Sequence, residues 1–168
     1  MSRIRCHREG FALVEILIYL SVLLIVAGGL VTTFLSLDTV LLRNRDDREL
    51  TESASQSLER MVRAIRNADA VNAGQSTFGS SPGALALVEG ATTTRFFESG
   101  GTLRMSLNGV ELGPLTSDDV TLDAITFTHY AGTTTDLVRV ALTLSKAGLS
   151  ATTTKTFYTS AVLRGSYE

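Results

Sequence analysis

The segment GFALVE at residues 10–15, with the apolar run that follows it as far as Leu37, sets the arrangement of the whole chain. Between Phe11 and Leu37, the only acidic or basic side chain is that of Glu15. A helix of this length, at about 1.5 Å per residue, crosses a hydrocarbon core of about 30 Å. An acid costs about 2.5–3.5 kcal/mol at the centre of a membrane helix and less near its end. Glu15 therefore needs a partner.

A short polar leader, residues 1–10, precedes the apolar run and contains Arg3, Arg5 and Arg8 but a single acid, Glu9. Basic residues that flank an apolar segment tend to stay on the cytoplasmic side of the membrane. The sequence therefore predicts a single-pass membrane protein, with its N-terminus inside and its C-terminal domain outside.

The leader, the Gly10-Phe11 junction, Glu15 at a fixed distance and the long apolar run together resemble the N-terminus of the type IV pilin and pseudopilin family. The resemblance implies that a prepilin peptidase cuts between Gly10 and Phe11 and that the new amino group of Phe11 is methylated. It also implies that an inner-membrane assembly platform moves the subunit from the membrane lipid into a helical filament of pilin or pseudopilin subunits.

Glu15 is predicted to act in this assembly. Cleavage after Gly10 would create an α-amino group four residues before Glu15, and such a group is mostly protonated near neutral pH. In a bundle of apolar helices, the amine of one subunit and the carboxylate of a neighbour neutralise each other, and breaking a buried pair is strongly unfavourable. The pair would fix the register between subunits. The alternative is that Glu15 only reaches the lipid headgroups.

Two other interpretations of the N-terminus keep the same topology. In the first, residues 1–10 begin an ordinary secretory signal peptide that is cleaved near Ala27-Gly28-Gly29, although the apolar run continues past this point and an acid is unfavourable inside a signal core. In the second, the segment is an uncleaved signal anchor. The position of cleavage distinguishes these interpretations.

Gly28 and Gly29 interrupt the apolar run, and each costs a helix interior about 1 kcal/mol relative to alanine. Small residues in membrane helices commonly allow close packing against a neighbour. Many family members carry a helix-kinking proline in this neighbourhood, whereas this chain has no proline before Pro82. The resemblance therefore suggests that the two glycines form a soft point at which the helix loosens in a filament.

Residues 38–71 continue the helix into water with an amphipathic pattern. Apolar residues recur at steps of three and four, at Leu50, Ala54, Leu58, Met61, Val62 and Ile65. The other faces are charged, and they offer the i,i+4 ion pairs Glu59–Arg63 and Arg45–Glu49. The mixed-charge segment RNRDDR at residues 43–48 is interpreted as a solvated face near the headgroups.

Residues 72–168 form a β-rich globular domain, since the period of the apolar residues changes there from helical to two. The candidate strands are residues 84–89, 93–98, 102–107, 124–130, 137–145 and 155–163. Pro114 argues against a central strand between residues 108 and 123. The predicted fold is α+β, a long N-terminal helix packed by its second half against an antiparallel sheet.

The net charge argues against a nucleic-acid partner, although contact through a local patch stays open, and the cysteine content excludes intramolecular disulfides and cysteine-based metal sites. Loss of the leader changes 15 basic and 17 acidic residues to 12 and 16, so the formal charge of −2 becomes −4. Such a chain lacks the overall positive charge that indicates a nucleic-acid partner. Its one cysteine, Cys6, lies in the leader. The mature chain would therefore have no disulfide, and its outer domain would depend on packing and strand pairing.

The sequence predicts no catalytic residue, no metal site and no cofactor. It contains no nucleophile elbow, phosphate-binding loop or histidine-pair motif. His129 lies in an alternating strand and is interpreted as a half-buried sheet residue. Asp118, Asp119 and Asp123 lack the alternating ligands and glycine of a calcium loop, and they are interpreted as a solvated connection.

The resemblance implies that the chain is a structural subunit of a type IV pilus, or of a related type II secretion or DNA-uptake pseudopilus. The helix residues 58–68 and the ending FYTSAVLRG at residues 157–165 resemble minor pilins and the larger minor pseudopilins, which favours a minor role. The main alternative is a signal-anchored extracytoplasmic ligand-binding domain, and a soluble secreted protein is the third possibility.

Overall fold

The structure, a computed structural model, describes residues 9–132, 135–148 and 151–164, with side chains described outside residues 9–12 and 35–43. The first eight residues of the predicted leader, including Cys6, lie outside this range, as does the side chain of Phe11. The chain divides into two compact units at Leu41 and Leu42. We refer to residues 13–34 of the first as the apolar segment and to the second, from Leu42 onward, as the helix–sheet unit.

The apolar segment belongs to α1, a helix that extends from Glu9 to Asn67. The stretch Leu13–Phe34 of this helix is long enough and apolar enough to cross a membrane. Its side chains are exposed throughout, from Leu20 at 51% to Ile25 at 76% for the large apolar residues. The predicted N-terminal apolar helix is therefore confirmed, and its apolar surface has no cover within its own unit.

The last part of α1 belongs to the helix–sheet unit and buries the predicted apolar stripe. Leu50, Ala54, Met61 and Ile65 are completely buried, at intervals of four and seven residues that bring them to one face. The predicted helix–sheet packing is thus confirmed.

The helix ends at Asn67, four residues before the end that the sequence predicted. The reason is that the following backbone pairs with a strand. The Asp69 amide donates to the Val88 carbonyl at 2.8 Å, and the Asn72 amide donates to the Ala86 carbonyl at 2.9 Å. Strand β1, Ala70–Val71, lies between these two hydrogen bonds.

The first sheet is an antiparallel meander of five strands in sequence order. After β1 it contains β2 (Ala84–Glu89), β3 (Thr92–Ser99), β4 (Thr102–Leu107) and β5 (Val110–Pro114). The sequence interpretation missed β5. Pro114 is tolerated because β5 is an edge strand, where a missing amide leaves no neighbour unpaired.

The second sheet has three long antiparallel strands in the order β6-β7-β8. These are β6 (Thr121–Ala131), β7 (Asp136–Ala147) and β8 (Thr152–Val162). The predicted strands lie within or overlap these three, but two separate sheets replace the single predicted sheet. Two loop hydrogen bonds join β6 to the segment before β2, from the Gly79 amide to the Phe127 carbonyl at 2.9 Å and from the Gly83 amide to the Ile125 carbonyl at 2.8 Å.

One core holds the helix–sheet unit together. Its largest fully buried side chains come from α1, from both sheets and from the end of the chain: Leu50, Met61, Ile65, Leu85, Leu87, Phe96, Leu103, Ile125, Phe127, Leu142, Leu144 and Leu163. Gly83 allows the loop before β2 to approach this core closely, because a Cβ there would lie 3.0 Å from the Ile125 carbonyl oxygen and 3.1 Å from the Phe127 ring.

Candidate functional site

Glu15 lies on the exposed surface of the apolar segment and has one described hydrogen-bond partner. The Tyr19 hydroxyl, one helical turn further on, donates to Glu15 Oε1 at 3.0 Å. Both residues are in α1, so the helical repeat places them on one face. Glu15 is the only Asp, Glu, Lys or Arg in the span Leu13–Phe34.

The other hydroxyls of the apolar segment are bonded within the helix. Ser21 Oγ donates to the Ile18 carbonyl at 2.8 Å, and Thr33 Oγ1 donates to the Gly29 carbonyl at 2.8 Å. Thr32 Oγ1 also donates to Gly29, at 2.9 Å. Each of these hydroxyls therefore has a backbone carbonyl of the same helix as its hydrogen-bond acceptor. A carboxylate has several acceptor positions, and one hydroxyl does not fill them.

The predicted processing site lies at the beginning of α1. The helix begins at Glu9, so the backbone of Gly10 and Phe11 is helical and Phe11 lies four residues before Glu15. The structure therefore places Phe11, where the predicted cleavage would create an amino group, one helical turn before Glu15. The pair itself is predicted between subunits, and a single chain leaves that prediction untested.

Gly28 and Gly29, the predicted soft point, lie in continuous helix. A Cβ at either position would meet nothing within 4 Å. The carbonyl of Gly29 accepts hydrogen bonds from two threonine hydroxyls in addition to its place in the helix. Hydroxyls that bond back to the preceding turn commonly bend a helix slightly. Loosening at this point in a filament stays a prediction.

A second group of charged residues forms ion pairs between α1 and the three-stranded sheet. Lys146 Nζ in β7 pairs with Glu49 and lies 3.5 Å from Asp46 Oδ1, while Lys155 Nζ in β8 lies 3.0 Å from Asp47 Oδ1. We call these five residues the lysine clasp. It includes both lysines of the chain.

The clasp corrects one interpretation of the sequence. The segment at residues 43–48 was expected to be a solvated face, which holds for the exposed Asn44, Arg45 and Arg48. It is wrong for Asp46 and Asp47, which are partly buried and paired with the sheet. Lysines at two positions within strands are the sequence signal that could have indicated such pairs.

The clasp also shifts the acidity of its members. The hydrogen bond from Lys146 lowers the pKa of Glu49, and the charges of Lys146 and Arg45 act in the same direction. The hydrogen bond to Glu49 raises the pKa of Lys146, with help from the charges of Glu49 and Asp46. Burial opposes both shifts. Each partner therefore stabilises the charged form of the other.

The outer face of the three-stranded sheet carries a basic and aromatic cleft that the sequence interpretation missed. Tyr130 and Tyr158 are 52% and 63% exposed, and the Arg139 guanidinium lies 5.4 Å from the centre of the Tyr158 ring. These three residues line a cleft of about 370 Å³.

A second cavity of about 420 Å³, lined by Arg66 and Arg164, shares Leu137 and Ser160 with this cleft. No acidic side chain lines either cavity. The two neighbouring cavities are lined by three arginines in all, and we call them together the arginine cleft.

The other titratable side chains considered as site candidates, His129 and Asp123, contact neighbouring side chains of the helix–sheet unit. His129 is half-buried, as predicted, with its ring centre 5.5 Å from that of Phe78 and its Nε2 3.4 Å from Asp136 Oδ2. Asp123 accepts a hydrogen bond from Ser145 Oγ at 2.8 Å. Among the described residues, no three His, Cys, Asp or Glu side chains are grouped to hold a metal ion.

Comparisons of this chain with protein-family models, with curated proteins and with solved structures gave no match.

Proposed function

We propose that the protein is a structural subunit of a type IV pilus or of a related secretion or DNA-uptake pseudopilus. The observation that supports this most strongly is the difference in burial between the two parts of α1. One face of its last part is buried in the helix–sheet unit, whereas residues Leu13–Phe34 expose a continuous apolar surface with one acid near its start. Such a surface requires lipid or other apolar helices around it.

Glu15 distinguishes these two environments. Lipid tails offer a carboxylate no counter-charge, whereas a bundle of identical helices can offer each carboxylate the amino group of a neighbour. In the proposed sequence of events, prepilin peptidase cuts between Gly10 and Phe11 and the new amine is methylated. Subunits then pass from lipid to filament as each Glu15 meets a neighbouring N-terminus.

The proposed location follows the same sequence of events. The subunit first crosses the inner membrane once, with the N-terminus in the cytoplasm and the helix–sheet unit outside, and it then enters a filament outside the membrane. Its partners are the peptidase, the assembly platform and other subunits. We favour a minor subunit, because residues 58–68 and 157–165 resemble minor members and the mature chain would lack a disulfide. This role requires no catalytic residue or cofactor.

N-terminal sequencing and intact mass of the purified protein test the proposal. A mature chain that begins at methylated Phe11 is the expected result. A chain that begins at Met1 would indicate an uncleaved anchor, and one that begins near Leu30 would indicate ordinary secretion. Either of these outcomes would overturn the proposed function.

The second candidate function, a signal-anchored ligand-binding domain, is favoured by the arginine cleft. Arginine guanidinium groups bind carboxylates and phosphates, and exposed tyrosine rings offer flat stacking surfaces. This function predicts a chain that keeps Met1 and binds an anionic ligand that the Arg139→Ala variant fails to bind. A chain that begins at Phe11 and is recovered in filaments would exclude simple anchoring.

A further inference from the structure

The Tyr19 hydroxyl in the apolar segment donates to a side chain. Ser21 and Thr33 direct their hydroxyls to backbone carbonyls of the preceding turn. Tyr19 instead reaches back one turn and donates to Glu15 Oε1 at 3.0 Å. A hydrogen bond to an ionised acceptor is stronger than one between neutral groups, and an apolar surrounding strengthens it further.

The position of Tyr19 matters because Glu15 has two neighbours at equal spacing along its own helix. Residues at i−4 and i+4 are both within side-chain reach on one helix face. Towards the N-terminus that neighbour is Phe11, which would carry the new α-amino group after cleavage. Towards the C-terminus it is Tyr19. The carboxylate can therefore pair with the amine of its own subunit or point towards Tyr19, away from that amine.

We propose that Tyr19 is the positioning residue for Glu15, because its hydroxyl holds the carboxylate towards the C-terminal side of the helix and so disfavours a pair within one subunit. The amine and the carboxylate then both stay available to neighbouring subunits, and the charge pair becomes an interaction between chains. This inference rests on the proposed function, since it concerns how the same acid selects its partner.

The test compares Tyr19→Phe with the wild type in the full-length, processed protein. The phenylalanine ring keeps the volume and apolar character of the residue and removes only the hydroxyl. We expect membrane insertion and cleavage to be unchanged and the fraction of subunits in sheared filaments to fall several-fold. Ser21→Ala is the matched control, because it removes a hydroxyl that bonds to the backbone, and it should assemble like the wild type.

Two combinations separate positioning from a general structural role. In a Glu15→Val background, Tyr19→Phe should cause no further loss, since the hydroxyl then has no carboxylate to hold. In unassembled subunits, a carbodiimide should couple the Phe11 amine to the Glu15 carboxylate within one chain, with loss of one water, more often in Tyr19→Phe than in the wild type. The coupled peptide is measured by mass spectrometry in proteins that keep Glu15, so this readout does not depend on how well Glu15→Val assembles.

The outcomes distinguish the inference from the proposed function. Normal assembly of Tyr19→Phe, an equal loss with and without Glu15, or unchanged coupling within one chain would each overturn the role of Tyr19. If Glu15→Val itself entered filaments normally, the proposed pairing of the acid would fail first. A Glu15→Val defect combined with wild-type behaviour of Tyr19→Phe would leave the proposed function standing and remove only this inference.

Discussion

The two parts of α1 are one continuous helix, yet they present opposite surfaces. In the apolar segment, Ile25 is 76% exposed, and the surrounding leucines and valines are exposed as well. In the helix–sheet unit, Ile65 is completely buried although its neighbours Arg63 and Arg66 are charged. Apolar content alone therefore does not determine burial. The second part has a sheet to cover its narrow stripe, whereas the first part is apolar on all sides and must find its cover in lipid or in other chains.

The largest expected effect comes from the same substitution in both parts. Ile65→Ala removes a fully buried side chain and should lower the free energy of unfolding by about 2–5 kcal/mol. Ile25→Ala removes an exposed side chain and should leave that free energy unchanged. Urea unfolding of the full chain in detergent, followed by the circular dichroism of the sheets, measures both. Equal effects would break the comparison, because the first part would then contribute to the fold of a single subunit.

The second comparison uses one acid from each part. Glu15→Val should leave membrane insertion intact, or improve it. Under the proposed function it should reduce incorporation into filaments at least tenfold, since the proposed partner amine of a neighbour would lose its counter-charge. Glu59→Val removes an exposed i,i+4 pair with Arg63, which is worth under about 1 kcal/mol. It should assemble normally. Quantification of each variant in sheared filaments against the total subunit pool gives the result, and normal incorporation of Glu15→Val would remove its assembly role.

The lysine clasp provides a smaller effect with a defined dependence on pH. Glu49, whose pKa is lowered, contributes stability above the ordinary carboxyl pKa of about 4.3, and this contribution is lost as the pH falls through its folded value. Lys146, whose pKa is raised, contributes below the ordinary lysine pKa of about 10.4 and loses this as the pH rises through its folded value. The clasp should therefore stabilise the helix–sheet unit between about pH 5 and pH 10.

Lys146→Met tests this dependence, because methionine keeps much of the aliphatic stem and removes the charge. We expect a lower Tm than wild type near neutral pH and a difference that shrinks in strong acid, where Glu49 is protonated. Arg45→Met is the control, since Arg45 is 78% exposed and pairs with the same Glu49 at 3.5 Å. It should change the Tm less than Lys146→Met at every pH. A Lys146→Met difference that is constant from acid to neutral pH would rule out the ion pair as its cause.

Features that repeat locally could be predicted from the sequence. The period of the apolar residues, 3.6 in a helix and two in a strand, predicts the helix with its buried stripe and also strands β2 and β4. The predicted bounds of both strands agree with the structure. Strand β5 was missed because it is short, exposed and ends in proline. A local sequence signal was nevertheless present, namely the pair Asn108-Gly109. Asparagine and glycine favour the positive φ that a tight hairpin turn requires, and the two residues adopt φ of 51° and 81°.

Other features depend on residues that are far apart in the chain, and no local pattern encodes them. Lys146 in β7 meets Glu49 of α1, 97 residues earlier in the chain, and also lies beside Asp46. The two-residue strand β1 exists only because β2 provides a partner. The arginine cleft likewise combines Arg66 from the last turn of α1 with residues of β7 and β8. For the candidate site, the spacing of Glu15 to Phe11 could be predicted, whereas the choice of Tyr19 as its hydrogen-bond partner required the structure.

The smallest expected effect concerns Gly28 and Gly29, and it sharpens the comparison within the apolar segment itself. Alanine at both positions meets no atom within 4 Å and favours a helix by about 1 kcal/mol per residue. The Gly28→Ala, Gly29→Ala variant should therefore insert normally. If the glycines are a soft point, the amides that follow them should exchange faster in wild-type filaments than those of residues 16–24, and this difference should decrease in the variant. Equal protection of the backbone amides of both stretches from exchange in wild-type filaments would contradict a soft point, because the helix would then be equally well formed on both sides. Close packing against a neighbouring helix would then be the reason for the two glycines.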